Sequence, residues 1–176
     1  RPPRSTLSSS SAASDVYKRQ ACASRGWKLG EDVVLLVSAD CVHYGDEGWG
    51  DGGYAPFGAG EEGHRLGVEQ DLEITAKYLT GSITEESIEG FRGRLERDNP
   101  AWPYEVTWCG VYSIPFGLGA LAAMADLEGR PRPAGYLLRY GTTLDPGKLP
   151  AGIEGLGVTN IATLRHWVGH VSIGYW

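Results

Sequence analysis

The chain of 176 residues has few of the features that mark several large classes of protein. It contains three cysteines, an odd number, so a disulfide framework is excluded and a cytoplasmic location is expected. Lys and Arg number 16 against 22 Asp and Glu, and the resulting net charge of -6 argues against a nucleic-acid partner. No apolar run approaches the roughly 20 residues of a membrane-spanning helix, so we expect no membrane partner.

The sequence also lacks the short motifs of several catalytic classes. No His-Glu-x-x-His, Cys-x-x-Cys or Walker-type glycine loop occurs, which argues against zinc proteases, zinc fingers and P-loop enzymes. Glycine, by contrast, is abundant at 26 residues, and 6 Trp, 9 Tyr and 3 Phe accompany it. This composition favours loops shaped around a pocket over a helical bundle.

Residues 1–20 have the composition of a tail. They show no hydrophobic period and are rich in Ser, Pro and basic residues. Residues 15–20 resemble a translated sequencing adapter, and an ordinary disordered tail is the alternative. We therefore predict an adapter-derived or disordered tail over residues 1–20, followed by the carboxyl-terminal part of a single α/β domain over residues 21–176.

The pattern of apolar residues predicts alternating strands and helices. Residues 33–37 are all Val or Leu, which predicts a strand covered on both faces, as in a parallel sheet. Helices are predicted over residues 68–79, from residue 82 or 84 to 99, and over 113–128, and strands over 136–140 and 167–175. The predicted fold class is α/β, with a central, largely parallel sheet flanked by helices. If neighbouring strands are missing, the open edge at 33–37 is expected to cause aggregation or dimerisation.

The first candidate for chemistry follows the predicted strand over 33–37. Asp40 and His43 are three residues apart, so in a turn they can face one cavity at the end of that strand. A carboxylate beside an imidazole fixes its tautomer and raises its basicity, which suits general-base catalysis or metal binding. The alternative is that Asp40 caps a helical turn and His43 is a partly buried structural histidine.

The second candidate is Cys109, which lies shortly before the third predicted helix. A cysteine near a helix amino terminus feels the positive end of the dipole, which favours the thiolate. A thiolate can act as a nucleophile, a redox centre or a soft metal ligand. The alternative is a small buried hydrophobic residue beside Trp108.

The other cysteines and histidines receive simpler interpretations. Cys41 is assigned to the core, Cys22 has no assigned role, and His64 is expected to be a solvated loop histidine. His166 and His170 share one face of the predicted last strand, so a zinc or iron pair at these two is an alternative interpretation.

The aromatic loop after His43 suggests a function of a different class. Trp49, Tyr54 and Phe57 would line a groove for a peptide or another protein, in a binding module without catalysis. Binding would then depend on Trp49 and survive the loss of Cys109 or His43. A third interpretation is a truncated reading frame without a function of its own.

Three strings together resemble the Memo family, whose members are also known as the B component of the AmmeMemoRadiSam system. They are VSADCVHYG from residue 37, TWCGVYSIPFG from residue 107 and VGHVSIGY from residue 168, and the resemblance covers residues 33–176. It implies the fold of class III extradiol dioxygenases, which use non-haem iron. It also implies a metal-dependent oxidoreductase, with a radical-SAM system protein as a partner and an unidentified small molecule or peptide as its ligand.

The resemblance also implies roles for individual residues. Asp40 and His43 match the family's pocket aspartate and histidine, and Cys109 matches a pocket cysteine associated with bound iron or copper. The implied catalytic residues are Asp40, His43 and Cys109, with Cys109 and His43 as metal ligands. The family's other ligands are upstream histidines, and no histidine precedes His43. We therefore expect this chain to supply only part of the family's metal site.

Overall fold

The structure is a computed structural model that describes residues 20–48, 53–99, 104–145 and 162–176. Of the predicted tail over residues 1–20, residues 1–19 lie outside these ranges. Strands and helices in the described part are β1 (His43–Gly45), α1 (Glu61–Ile74), β2 (Gly81–Ser82), α2 (Glu85–Leu95), α3 (Ser113–Leu127), β3 (Ala134–Thr142) and β4 (His166–Tyr175). A π-helical turn (Thr75–Leu79) extends α1, and a 3₁₀ turn (Cys109–Val111) precedes α3.

The four strands form one curled sheet in the order β1-β4-β3-β2, and every pair among the described strands is antiparallel. The predicted α/β class with a central, largely parallel sheet flanked by helices is therefore wrong. In β3 the four consecutive residues 136–139 are exposed, and in β4 His170 and Ser172 are exposed, so neither strand is covered on both faces as a strand of a parallel sheet would be. Parallel neighbours are joined by a crossover connection, usually a helix. Here the neighbours β1 and β4 are separated along the chain by the other two strands as well as by helices, so they do not form such a unit.

The predicted strand over residues 33–37 is also absent from this sheet. Residues 34–40 belong to no strand or helix, and the side chains of Val34 and Leu36 are 82% and 83% exposed. The inner side of the segment lies on α3, where a Cβ added to Gly117 would come within 2.2 Å of Val37 Cγ2. A continuous apolar run indicates burial on both faces, but one face of this run has no partner among the described residues.

The exposed apolar segment over residues 33–37 carries a prediction about association. Because two bulky apolar side chains face solvent on backbone that is paired in no strand, we expect the chain to dimerise or aggregate through this segment. The double substitution Val34→Lys and Leu36→Lys should shift the chain toward monomer in size-exclusion chromatography with light scattering. Leu127→Lys, at a 44% exposed position on α3, serves as the control. A wild-type chain that stays monomeric at high concentration contradicts this prediction.

The helices lie close to where the sequence places them. The helix predicted over 68–79 begins earlier, at Glu61, and its π-helical end stops at Leu79, just before Gly81 at φ 78°. Helix α2 is capped by Thr84, whose hydroxyl accepts from the Ser87 N–H (3.0 Å), while the Ser87 hydroxyl oxygen accepts from the Thr84 N–H (3.1 Å). This reciprocal pair of hydrogen bonds is a capping box. Of the two predicted starts of this helix, residues 82 and 84, the structure has the second.

Helix α3 is the most apolar element. Together with the preceding 3₁₀ turn it forms a 19-residue stretch (Cys109–Leu127) that is long and apolar enough to cross a membrane by length and composition, and half of it is buried in the fold. The expectation that no apolar run approaches this length is corrected accordingly. Burial of this kind is also found in a core helix that packs against a sheet or other helices.

The core lies between the helices and the inner face of the sheet. Tyr44 of β1 stacks on Trp167 of β4 with ring centroids 4.9 Å apart, and Phe91 of α2 meets Trp108 edge-on at 5.5 Å. All four rings are fully buried. Trp108 therefore anchors the segment before Cys109, while Tyr44 anchors the segment that follows His43.

Candidate metal centre

Backbone hydrogen bonds join two distant segments at the start of β1. The His43 N–H donates to the carbonyl oxygen of Thr107 (3.0 Å), and the Thr107 hydroxyl donates to the carbonyl oxygen of His43 (2.7 Å). Val42 forms an antiparallel bridge with Trp108. This pairing places Cys109, 66 residues further along the chain, beside His43.

The side chains of Asp40, His43 and Cys109 converge in this region. His43 Nε2 lies 2.9 Å from Cys109 Sγ and 3.3 Å from Asp40 Oδ2. One ligand atom from each residue lies within 4.8 Å of the other two. Asp40 and His43 are half-buried and Cys109 is exposed, so the cluster is open to solvent. The structure brings these three residues together, and their chemical roles stay predictions.

The contacts at His43 Nε2 distinguish two kinds of chemistry. In a nucleophilic triad, the nucleophile contacts one ring nitrogen and the acid contacts the other. Here the Cys109 sulfur and the Asp40 carboxylate approach the same nitrogen. The arrangement therefore favours three ligand atoms around a common centre over a relay through the imidazole.

The expectation that a helix dipole favours the Cys109 thiolate is wrong. Cys109 begins the 3₁₀ turn, and α3 starts only at Ser113. Partial burial, followed by the negative charge of Asp40, raises the pKa of the Cys109 thiol above its ordinary value. A bound cation would reverse this balance, because a coordinating thiol is deprotonated outright.

The donor atoms fit a transition metal ion. One imidazole nitrogen, one sulfur and one carboxylate oxygen suit iron, copper or zinc, whereas magnesium and calcium prefer an all-oxygen set. With bonds of roughly 2.0–2.3 Å, ligand atoms around a tetrahedral ion lie about 3.5 Å apart. The observed separations of 2.9 and 3.3 Å are somewhat shorter. A small outward movement of two solvent-accessible side chains, Cys109 and Asp40, would accommodate the ion.

A buried carboxylate behind the cluster ties both segments that carry the cluster to helix α1. Asp71 is fully buried and accepts hydrogen bonds from Trp108 Nε1 (2.6 Å), the Tyr140 hydroxyl (2.7 Å) and the Val42 N–H (3.3 Å). Trp108 and Val42 each adjoin a predicted ligand in the sequence. Asp71 therefore fixes the backbone positions from which those ligands project.

Asp71 was not among the residues predicted to form the site. It lies on the inward face of α1 and its π-helical extension, with Gly67, Ile74 and Thr75, all of which are buried. A lone carboxylate on that face was the available signal, because buried charges need partners. Burial raises the pKa of Asp71 to about 7, against the opposing effect of its hydrogen bonds.

The two histidines of β4 have different surroundings. His170 Nδ1 lies 3.4 Å from Asp40 Oδ1, at the edge of the cluster. His166 Nδ1 lies 2.8 Å from the carbonyl oxygen of Glu47, at the other end of the strand. The described residues contain no group of three ligating side chains that includes both, so the zinc or iron pair is not supported.

The other assignments have mixed outcomes. Cys41 is buried, which confirms it as a core residue. Cys22 is partly buried and does not belong to the cluster. The expectation of a solvated loop is wrong for His64, because this residue lies on α1, half-buried and edge-on against Trp167 at 4.8 Å.

The predicted aromatic groove is described only in part. Trp49 lies outside the described residues. Tyr54 is half-buried, with its ring edge-on to Tyr44 and its hydroxyl donating to Gln70 Oε1 (3.0 Å), and Phe57 is 39% exposed. Tyr54 is thus engaged in internal packing and hydrogen bonding.

No protein-family model, curated protein or solved structure matches this chain. The likeness to the Memo family therefore stays a prediction from three short strings, and the geometry of the site is the remaining basis for a function.

Proposed function

We propose that this protein is a metal-dependent oxidoreductase whose Asp40, His43 and Cys109 hold a non-haem iron or copper ion. The observation that carries the proposal is the approach of both the Cys109 sulfur and the Asp40 carboxylate to the same nitrogen of His43, at 2.9 and 3.3 Å. The two anionic donors would balance the charge of a divalent ion, and the imidazole would add a neutral nitrogen. The sulfur favours iron or copper, which are redox-active, over harder ions.

The chain's own residues would divide the work of binding. Cys109 supplies a soft anionic ligand, Asp40 a hard anionic one, and His43 a neutral nitrogen. When bound, the ion would supply redox chemistry and Lewis acidity. Because Cys109 is exposed and Asp40 is half-buried, the side of the cluster that faces solvent leaves room for a small molecule to approach.

Metal uptake by the full chain tests this proposal. Anaerobic loading with Fe²⁺ or Cu⁺, removal of free metal and elemental analysis should give close to one bound ion per chain. Cys109→Ser should lower the metal content at least ten-fold at limiting metal, because it replaces a thiolate by a weakly ligating hydroxyl. Cys22→Ser is the matched control and should bind like the wild type.

The redox part of the proposal needs a second measurement. We expect the iron-loaded chain to consume dioxygen faster than the same amount of free iron when an aromatic diol is added, and Cys109→Ser to remove this difference. A folded wild-type chain that takes up neither metal would contradict the whole proposal. Metal uptake without any redox activity would reduce it to a metal-binding function.

A further inference from the structure

The carboxylate of Asp40 is contacted on both of its oxygens. Oδ2 lies 3.3 Å from His43 Nε2, inside the cluster, and Oδ1 lies 3.4 Å from Nδ1 of His170, outside it. His170 is not part of the group of converging ligand atoms. The two imidazoles therefore approach different oxygens of one carboxylate.

The backbone beside His170 is hydrogen-bonded to the segment that directly follows Asp40. In β4, His170 is paired with Gly141 of β3. Its neighbour Gly169 accepts a hydrogen bond from the Cys41 N–H (2.9 Å) and donates one to the carbonyl oxygen of Val42 (2.9 Å). Asp40 lies outside any strand, and its side chain is 45% exposed against 50% for His170. The shared backbone hydrogen bonds therefore hold the His170 backbone beside the Asp40 carboxylate, with Nδ1 3.4 Å from Oδ1.

We propose that His170 is a positioning residue that holds the Asp40 carboxylate with Oδ2 turned toward the metal position. This inference rests on the proposed function, since it assigns a role in metal binding. Carboxylates that ligate metals are themselves held by outer hydrogen-bond partners, and loss of such a partner typically lowers metal affinity about 10–100-fold. His170 is the described side chain placed to do this for Asp40.

A purely structural role for His170 makes a different prediction. The His170 and Asp40 side chains are 50% and 45% exposed, and ion pairs at such exposure contribute little to stability. Loss of His170 should therefore leave the melting temperature nearly unchanged while it weakens metal binding. The effect on binding should also disappear when Asp40 can no longer ligate.

The test is a double-mutant cycle with Co²⁺ as the probe. Cobalt bound by a thiolate gives a charge-transfer absorption, so titration of the full chain reports affinity at Cys109 directly and needs no substrate. His170→Ala should weaken Co²⁺ binding about 10–100-fold. In the Asp40→Asn background, His170→Ala should change Co²⁺ affinity less than three-fold, because the Asp40 carboxylate that His170 would position is no longer present.

Two further variants control the cycle. His170→Asn keeps an amide N–H near the position of Nδ1 and should recover most of the lost affinity. His166→Ala removes an imidazole from the same strand, away from the cluster, and should leave Co²⁺ affinity unchanged.

The outcomes separate this inference from the proposed function. If the wild type binds Co²⁺ and His170→Ala binds equally well, the positioning role is wrong and the metal site stands. An equal loss in both backgrounds also overturns the role of His170, because the effect would not pass through Asp40. If the folded wild type shows no thiolate-to-cobalt band, both proposals are wrong.

Discussion

Replacement of Asp71 by alanine should lower the free energy of unfolding by more than about 3 kcal/mol. Three buried donors, on Trp108, Tyr140 and Val42, would lose their acceptor, and each unsatisfied buried donor costs about 1–3 kcal/mol. Asp71→Asn keeps one acceptor oxygen but turns an amide N–H₂ toward at least one donor. It should therefore cost less, about 1–3 kcal/mol.

Urea denaturation followed by tryptophan fluorescence measures both variants. Glu73→Gln is the matched control, because Glu73 lies on the same helix with an exposed side chain, and it should change stability by about 0.5 kcal/mol or less. An Asp71→Ala variant within about 1 kcal/mol of the wild type would show that the buried network contributes little.

The stability conferred by Asp71 should also depend on pH. Burial raises its pKa from the ordinary 3.8 to about 7, so between these values the folded state holds a proton that the unfolded state releases. The contribution of Asp71 is therefore complete below about pH 4 and is lost as pH rises through 7, by at most about 1.4 kcal/mol per pH unit. The destabilisation by Asp71→Asn should accordingly be larger at pH 5 than at pH 8. A constant difference across this range would show that the carboxyl group is ionised throughout.

Gly169→Ala should destabilise the protein by about 3 kcal/mol, near the upper end of overpacking effects. A Cβ at this position would lie 2.3 Å from Asp71 Oδ2, 2.6 Å from the Tyr140 hydroxyl oxygen and 3.2 Å from Cys41 Cβ. These atoms cannot move away without loss of hydrogen bonds, because the Asp71 carboxylate is already held by three donors. The added methyl group therefore forces apart β4 and the buried network.

Gly119→Ala provides a control of opposite sign. Gly119 lies inside α3 with nothing within 4 Å of an added Cβ, so alanine should stabilise the helix by about 0.5–1 kcal/mol. Thermal unfolding of the two variants side by side measures both effects. If Gly169→Ala melts at the wild-type temperature, the strand has room to adjust and the close packing against Asp71 is not required.

Local signals in the sequence predicted the elements of this fold better than their assembly. Helix α3 and the strands β3 and β4 lie where periodicity and alternation place them, because those patterns report which side of an element is buried. The direction of strand pairing has no comparable local signature. The run over residues 33–37 was therefore interpreted as a strand of a parallel sheet, although its outer face has no described partner.

The residues of the candidate site likewise differ in whether the sequence alone could predict them. Asp40, His43 and Cys109 were singled out because their chemistry is visible residue by residue. Asp71 was not, since its importance arises from three donors that lie far from it in sequence and meet it only in the folded chain. Side-chain chemistry can be read from a sequence, whereas the partners of a buried group depend on tertiary contacts.

The strand order has a consequence for how the protein is made. β4 is the last strand in the described chain, yet it lies between β1 and β3 in the sheet. During synthesis, β1 and β3 leave the ribosome before the strand that joins them exists, so the ligand segments lack their central support until translation nears residue 175. Folding rates fall as contacts become less local. We therefore expect the segments that carry Asp40, His43 and Cys109 to become ordered together only after β4 has been synthesised.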